Sequence, residues 1–150
     1  CLAARRKQGL GFAVWKPLTG YRDIADKALR VIQDCHLGDV VHVTADNLAY
    51  GQRRQLEIAM ALAADPRILL LDEPMAGMSA AEGAAAVEML RSLKGKYTIL
   101  LVEHDMNAVF ALADRISVLV YGSIVATGTV EEIRNHPEVR RAYLGDDEDA

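Results

Sequence analysis

Cysteine is scarce in this 150-residue chain, where Cys1 and Cys35 are the only two. Their wide spacing excludes a disulfide framework and a cysteine-based metal site, and free thiols fit a reducing cytosol. Basic charge is short as well. The formal net charge is −4, which argues against nucleic acid as a partner. No apolar run approaches the roughly 20 residues that span a bilayer, and there is no signal peptide. The phosphate-binding G-x-x-x-x-G-K-[ST] loop is also missing. The one Gly-Lys pair, in "GKY" at Gly95 to Tyr97, lacks the earlier glycine and the following hydroxyl residue. Lys96 is therefore read as solvating a helix-to-strand turn.

Against these absences stands an ordinary globular composition, 51% hydrophobic and 25% charged. The length suits one compact domain. Because the sequence starts at Cys1 without Met, the chain is read as a fragment of a longer protein. The closing "GDDEDA" reads as a solvated acidic tail. No internal repeat is present.

Hydrophobic spacing then supplies the elements. "CLAARRKQGLGFAVWKPLTGY" reads as a short helix end followed by a loop. Ile24, Ala28, Val31, Ile32 and Cys35 fall on one face of a helix that Gly38 stops. A second helix starts near Gln52, with Leu56, Ala59, Met60 and Ala63 on its buried stripe, and Asp65-Pro66 ends it. Ile68 to Leu71 form a continuous apolar run, the mark of a fully buried strand in a parallel sheet. Ser79 and Glu82 make a capping box for a helix that buries Ala86, Leu90 and Leu93. "YTILLV" is a further buried strand, and Asp105 caps "MNAVFALA". Tyr121-Gly122 joins "RISVLV" to "SIVATG" as a hairpin. Thr129 and Glu132 form another capping box, and Pro137 opens a last short helix. Strands alternating with helices give an α/β fold with a mostly parallel sheet.

Several residues invite chemistry. Asp72 and Glu73 sit at the end of the first apolar strand, where open α/β sheets bind ligands. They are either the first solvated positions of a loop or a functional pair. As a pair, the first would orient the water shell of Mg²⁺ and the second would position or deprotonate an attacking water. That needs a backbone turn at this point, which Pro74 makes plausible. His104 follows the second strand and would share the same sheet edge if the two strands run parallel, donating to a phosphate oxygen. It is otherwise a structural histidine. In "LAYGQ", the N–H groups of Tyr50, Gly51 and Gln52 and the helix dipole could meet an anion. The alternative is a flexible helix entry.

Taken in order, "LAYGQRRQLEIAMALAADPRILLLDEP", "AGMS" and "VEHD" resemble the ATP-binding-cassette (ABC) ATPases over essentially the whole chain. "NLAYGQRRQLEIA", "EHDM" and "EEIRNHPEVRRAYLG" resemble the ATP-binding subunits of branched-chain amino acid importers. The resemblance implies the C-terminal portion of an ABC-type P-loop NTPase domain. It divides the chain into part of the helical subdomain (1–47), the core (48–128), and a C-terminal helical extension with the acidic tail (129–150). Leu48, Ala49, Tyr50, Gly51 and Gln52 match the signature motif, which faces ATP on a partner subunit. Asp72 matches the Mg²⁺-associated Walker B carboxylate, Glu73 the catalytic glutamate and His104 the switch histidine. Ala76 to Ser79, with Gly77, Met78 and Ser79, occupy the D-loop. Two departures stand out: Ala49 replaces the usual signature serine, and Ser79 the usual D-loop aspartate.

The same resemblance implies ATP and Mg²⁺ as ligands and a head-to-tail dimer with a second ATP-binding subunit. It further implies membrane permease subunits, an indirect link to a substrate-binding protein, and a place on the cytoplasmic face of the inner membrane. The P-loop, the adenine-stacking aromatic and the glutamine loop would lie upstream, so the 150 residues alone are expected to be inactive. "GLGFAVWKPLTGY" would touch the permease or pack on its own subdomain. Open alternatives are import of other amino acids, amides or urea, a non-transport ABC ATPase, and a folded or domain-swapped module without nucleotide function.

Overall fold

The computed structural model describes residues 22–144. The readings of "GLGFAVWKPLTGY" and of the acidic tail therefore lie outside the described residues. The chain separates into two compact units between Val102 and Glu103. Each has its own small sheet, one parallel pair and one antiparallel pair.

In the first unit, α1 (Arg22–Asp34) buries Ile24, Ala28 and Val31. It stops before Gly38. His36 takes a left-handed φ of 56°. Its N–H bonds Gln33 O at 3.0 Å and the Leu37 N–H bonds Ile32 O at 2.9 Å, a Schellman closure built on histidine instead of glycine. Leu37, at the position where this motif commonly carries an apolar side chain, is buried.

Helix α2 (Tyr50–Ala63) begins two residues earlier than Gln52 and buries Gln55, Ile58, Ala59, Leu62 and Ala63. Met60, expected inside, is 58% exposed. The buried stripe is centred on Ile58 and Leu62, which turns position 60 outward. Asp65 follows the element with φ 55° ahead of Pro66, out of the right-handed helical region that a residue before proline avoids, though left-handed and not extended.

Strand β1 (Ile68–Asp72) pairs in parallel with β2 (Thr98–Val102), Asp72 opposite Val102. Between them lies α3 (Ala80–Leu93), which buries Ala86, Met89, Leu90 and Leu93. The strands and their direction agree with the sequence reading, but full burial does not. Leu69 is buried, whereas Leu70 is 70% and Leu100 60% exposed. Successive side chains point to opposite faces of a sheet, and burial falls on the Leu69 side, where Leu71, Ile99 and Leu101 are also partly covered. Helices α1, α2 and α3 pack on one another.

The second unit contains α4 (Met106–Leu112), β3 (Ile116–Val120), β4 (Ser123–Gly128), α5 (Val130–Arg134) and α6 (Pro137–Val139). A π-type turn, Arg140–Leu144, follows α6. Tyr121 and Gly122 both have positive φ, 47° and 77°, the requirement of a type I′ hairpin turn. Ile116, Val118, Ile133 and Val139 form this unit's core.

Candidate functional site

The turn "LAYGQ" is fixed from both ends. Leu48 is buried, and Ala49 is the N-cap of α2 in extended conformation, φ −59° and ψ 159°. The Gln52 side chain reaches back to accept the Ala49 N–H at 3.0 Å. That is half of a capping box. The other half needs a hydroxyl on residue 49, which alanine lacks.

Gly51 has a definite reason to be glycine. A Cβ there would lie 3.1 Å from Glu82 Cβ, Cγ and Oε1, so any larger residue would push Glu82 aside. The Gly51 N–H donates to Glu82 Oε1 at 3.0 Å. Tyr50 extends the other way: its hydroxyl donates to Ala76 O at 3.1 Å. Arg54 Nε donates to the same hydroxyl at 3.3 Å.

The segment Ala76 to Ser79, expected to be a D-loop, is thus held against the "LAYGQ" turn. Ala76 N–H bonds Glu73 O at 3.1 Å and Met78 N–H bonds Met75 O at 3.2 Å. Gly77 has φ 76°, a conformation that a side chain resists. Ser79 caps α3: Glu82 accepts the Ser79 N–H at 3.0 Å and its hydroxyl at 2.8 Å. The Ser79 and Gly51 N–H groups hold the Glu82 carboxyl below its usual range, with the Ser79 hydroxyl adding to the effect. The sequence marked Glu82 only as a cap. Its contact with Gly51 spans 31 residues, and no local pattern signals it.

Asp72 and Glu73 leave β1 at its carboxyl end and both are exposed. The Glu73 N–H bonds Val102 O at 2.9 Å, and Glu73 itself turns with φ 42°. The break in the strand lies at Glu73, one residue before the proline expected to make it. A cavity of about 220 Å³ beside the strand is lined by Asp72, Pro74, Leu70 and, from α2, Arg54, Glu57 and Ile58.

His104 follows β2 by two residues and belongs to the second unit. Its ring is 71% exposed, with Nδ1 4.0 Å from a Glu103 carboxylate that is itself 2% exposed. Asp105 caps α4 by accepting the Asn107 N–H at 2.9 Å. The first unit therefore gathers Leu48 to Gln52 with Gly77 to Ser79, and places Asp72 opposite Val102 at the end of β2, with the Glu73 N–H bonded to Val102 O.

This donor set can be tested against the implied ligands. The Gly51 N–H already binds an anionic oxygen, that of Glu82, so the turn has the polarity a phosphate needs. Among the described residues no group of three or more His, Cys, Asp or Glu side chains could cage a metal. A single exposed carboxylate at Asp72 fits Mg²⁺, which keeps several waters and takes few protein ligands. No helix among the described residues is long and apolar enough to cross a membrane.

Comparison with known proteins identifies the family. A family model described as ABC transporter matches residues 6–76, and one described as branched-chain amino acid ATP-binding cassette transporter matches 123–149. The high-affinity branched-chain amino acid transport ATP-binding protein LivG of Salmonella typhimurium is 45% identical over 123 residues, 81% of this chain and 48% of LivG. BraF of Pseudomonas aeruginosa, named for the same transport, is 39% identical over 127 residues, 83% of this chain and 50% of BraF. The chain thus spans about half the length of these relatives. Among solved structures, the ADP conformation of MJ1267, an ATP-binding cassette of an ABC transporter, superposes with a TM-score of 0.75 at 25% identity, covering 97% of this chain and 61% of MJ1267. The chain belongs to the ABC transporter ATP-binding family and carries the C-terminal segment of its branched-chain amino acid type.

Proposed function

We propose that this chain supplies part of each composite ATP site in a dimer that drives import of branched-chain amino acids: its signature turn to the ATP of the partner subunit, and its Walker B carboxylates to the ATP of its own subunit. The observation that carries the reading is the pairing of an anion-binding helix N-terminus at Gly51 with a D-loop tied to it through Tyr50 and Glu82. Leu48 to Gln52 face the ATP held by the P-loop of a second ATP-binding subunit. Gly77, Met78 and Ser79 carry the contact between subunits. The assembly sits on permease subunits at the cytoplasmic face of the inner membrane and acts with a substrate-binding protein.

Bound Mg·ATP supplies an electrophilic γ-phosphoryl group and neutralises its charge. Asp72 accepts hydrogen bonds from the water shell of the cation. Glu73 orients the attacking water and takes its proton. His104 donates a ring N–H to charge developing on phosphate. The N–H groups of Tyr50, Gly51 and Gln52 meet the γ-phosphate of the other ATP, the one held by the P-loop of the second subunit.

The 150 residues alone have no G-x-x-x-x-G-K-[ST] loop, so they should not turn over ATP. Addition of a P-loop-bearing partner should restore hydrolysis. In the full-length dimer, where each subunit has its own P-loop, Glu73→Gln should lower kcat about 10²- to 10⁴-fold, the range for loss of a general base. Clear turnover by the purified chain alone would contradict the composite site. Leucine uptake by cells whose importer depends on this subunit tests the substrate; uptake of amides or urea without leucine would redirect it.

A further inference from the structure

Glu82 makes a contact that its capping role does not require. Oε2 alone closes the box, accepting the Ser79 N–H and hydroxyl at 3.0 and 2.8 Å. Oε1 turns away from α3 and accepts the Gly51 N–H at 3.0 Å. One carboxylate thus bridges the first turns of two long helices. A neutral glutamine could cap α3 equally well. A negative charge facing the N-terminus of α2 does something further, because that end of a helix favours anions.

We propose that Glu82 is a positioning residue that couples the signature turn to the D-loop. Its carboxylate serves as an internal anion on the Gly51 N–H, and a phosphate oxygen that takes this N–H displaces it and releases the Ser79 cap. The inference rests on the reading of "LAYGQ" as a phosphate contact. One N–H cannot serve two anionic oxygens at full strength, and the two negative charges repel at that distance. Room is short as well: Glu82 Cβ, Cγ and Oε1 all lie within 3.1 Å of where a Gly51 Cβ would stand. Phosphate entry therefore requires Glu82 to swing away. The Ser79 N–H and hydroxyl then lose their acceptor at the end of the D-loop. The Tyr50 to Ala76 bond does not involve Glu82, so the loop stays tethered at its other end. Phosphate occupancy at Gly51 thereby becomes a change at Ser79.

The test uses the assembled ATPase, with MgATP for kinetics and a non-hydrolysable ATP analogue for amide spectra of Gly51 and Ser79. In the wild type both amides should shift together, half-complete at the same analogue concentration. Glu82→Gln keeps shape and acceptor but removes the competing charge, so the KM for ATP should fall about three- to tenfold. Glu82→Ala should lower KM in the same sense with a weaker α3 cap; should it not fold, the glutamine variant decides alone. A Gly51 shift with Ser79 unmoved, or an unchanged or raised KM in Glu82→Gln, overturns the coupling. If neither wild-type amide responds while ATP is still hydrolysed, the phosphate reading itself falls, and the role of Glu82 with it.

Discussion

Ala49 stands at the N-cap of α2 with extended backbone but no oxygen to offer. The Gln52 side chain has completed its half of the box, so Ala49→Ser would add the missing acceptor for the Gln52 N–H. The variant should gain about 0.5–2 kcal/mol of stability, the usual worth of a polar N-cap, read as a higher urea midpoint at constant m-value. A loss would mean that the turn resists the hydroxyl. Glu132 offers a residue-scale test by pH. The Thr129 N–H and hydroxyl hold its carboxyl below the ordinary 4.5. A depressed carboxylate stabilises the fold above its unfolded pKa and loses that contribution as pH falls through the folded value. The unfolding midpoint should therefore decline below about pH 4.5, and Glu132→Gln should flatten the decline. Both capping boxes were legible as S-x-x-E and T-x-x-E because capping is local. The Gly51 to Glu82 bond was not, because its geometry depends on how two helices pack.

At the scale of elements, apolar runs announced β1 and β2, and the two pair in parallel, as a mostly parallel sheet implies. What they could not announce was which face would be covered. A run such as "ILLL" looks alike whether helices cover one side of the strand or both. Leu69 is buried and Leu70 is not, which makes adjacent leucines a controlled comparison. Leu69→Ala should cost about 2–4 kcal/mol by cavity formation, whereas Leu70→Ala should stay within about 0.5 kcal/mol, as surface changes do. Equal costs in urea unfolding would show that the Leu70 face is covered in solution. Helix α2 carries a related lesson. Its boundary at Asp65-Pro66 was readable from backbone sterics, while its stripe was displaced because Gln55, a polar residue, takes a buried position.

For the whole molecule, the uncovered side of the first unit's sheet matters most. Ile68, Leu70, Leu100 and Val102 are all exposed on paired strands, and together they make a contiguous apolar surface of a kind that globular proteins seldom leave open. The chain spans 48% of LivG, so the relatives carry further sequence able to cover such a face. The 150 residues in isolation lack that option, and a net charge of −4 gives little repulsion to oppose contact between copies. The purified chain should therefore self-associate in a concentration-dependent way, seen as a rising mass in light scattering. Leu70→Lys with Leu100→Lys places charge on the middle of both strands and should return the mass to that of a monomer while leaving the helical circular dichroism unchanged. A monomer at high concentration before substitution would show that the face is covered within the chain itself, and the large difference expected between Leu69→Ala and Leu70→Ala should then disappear as well.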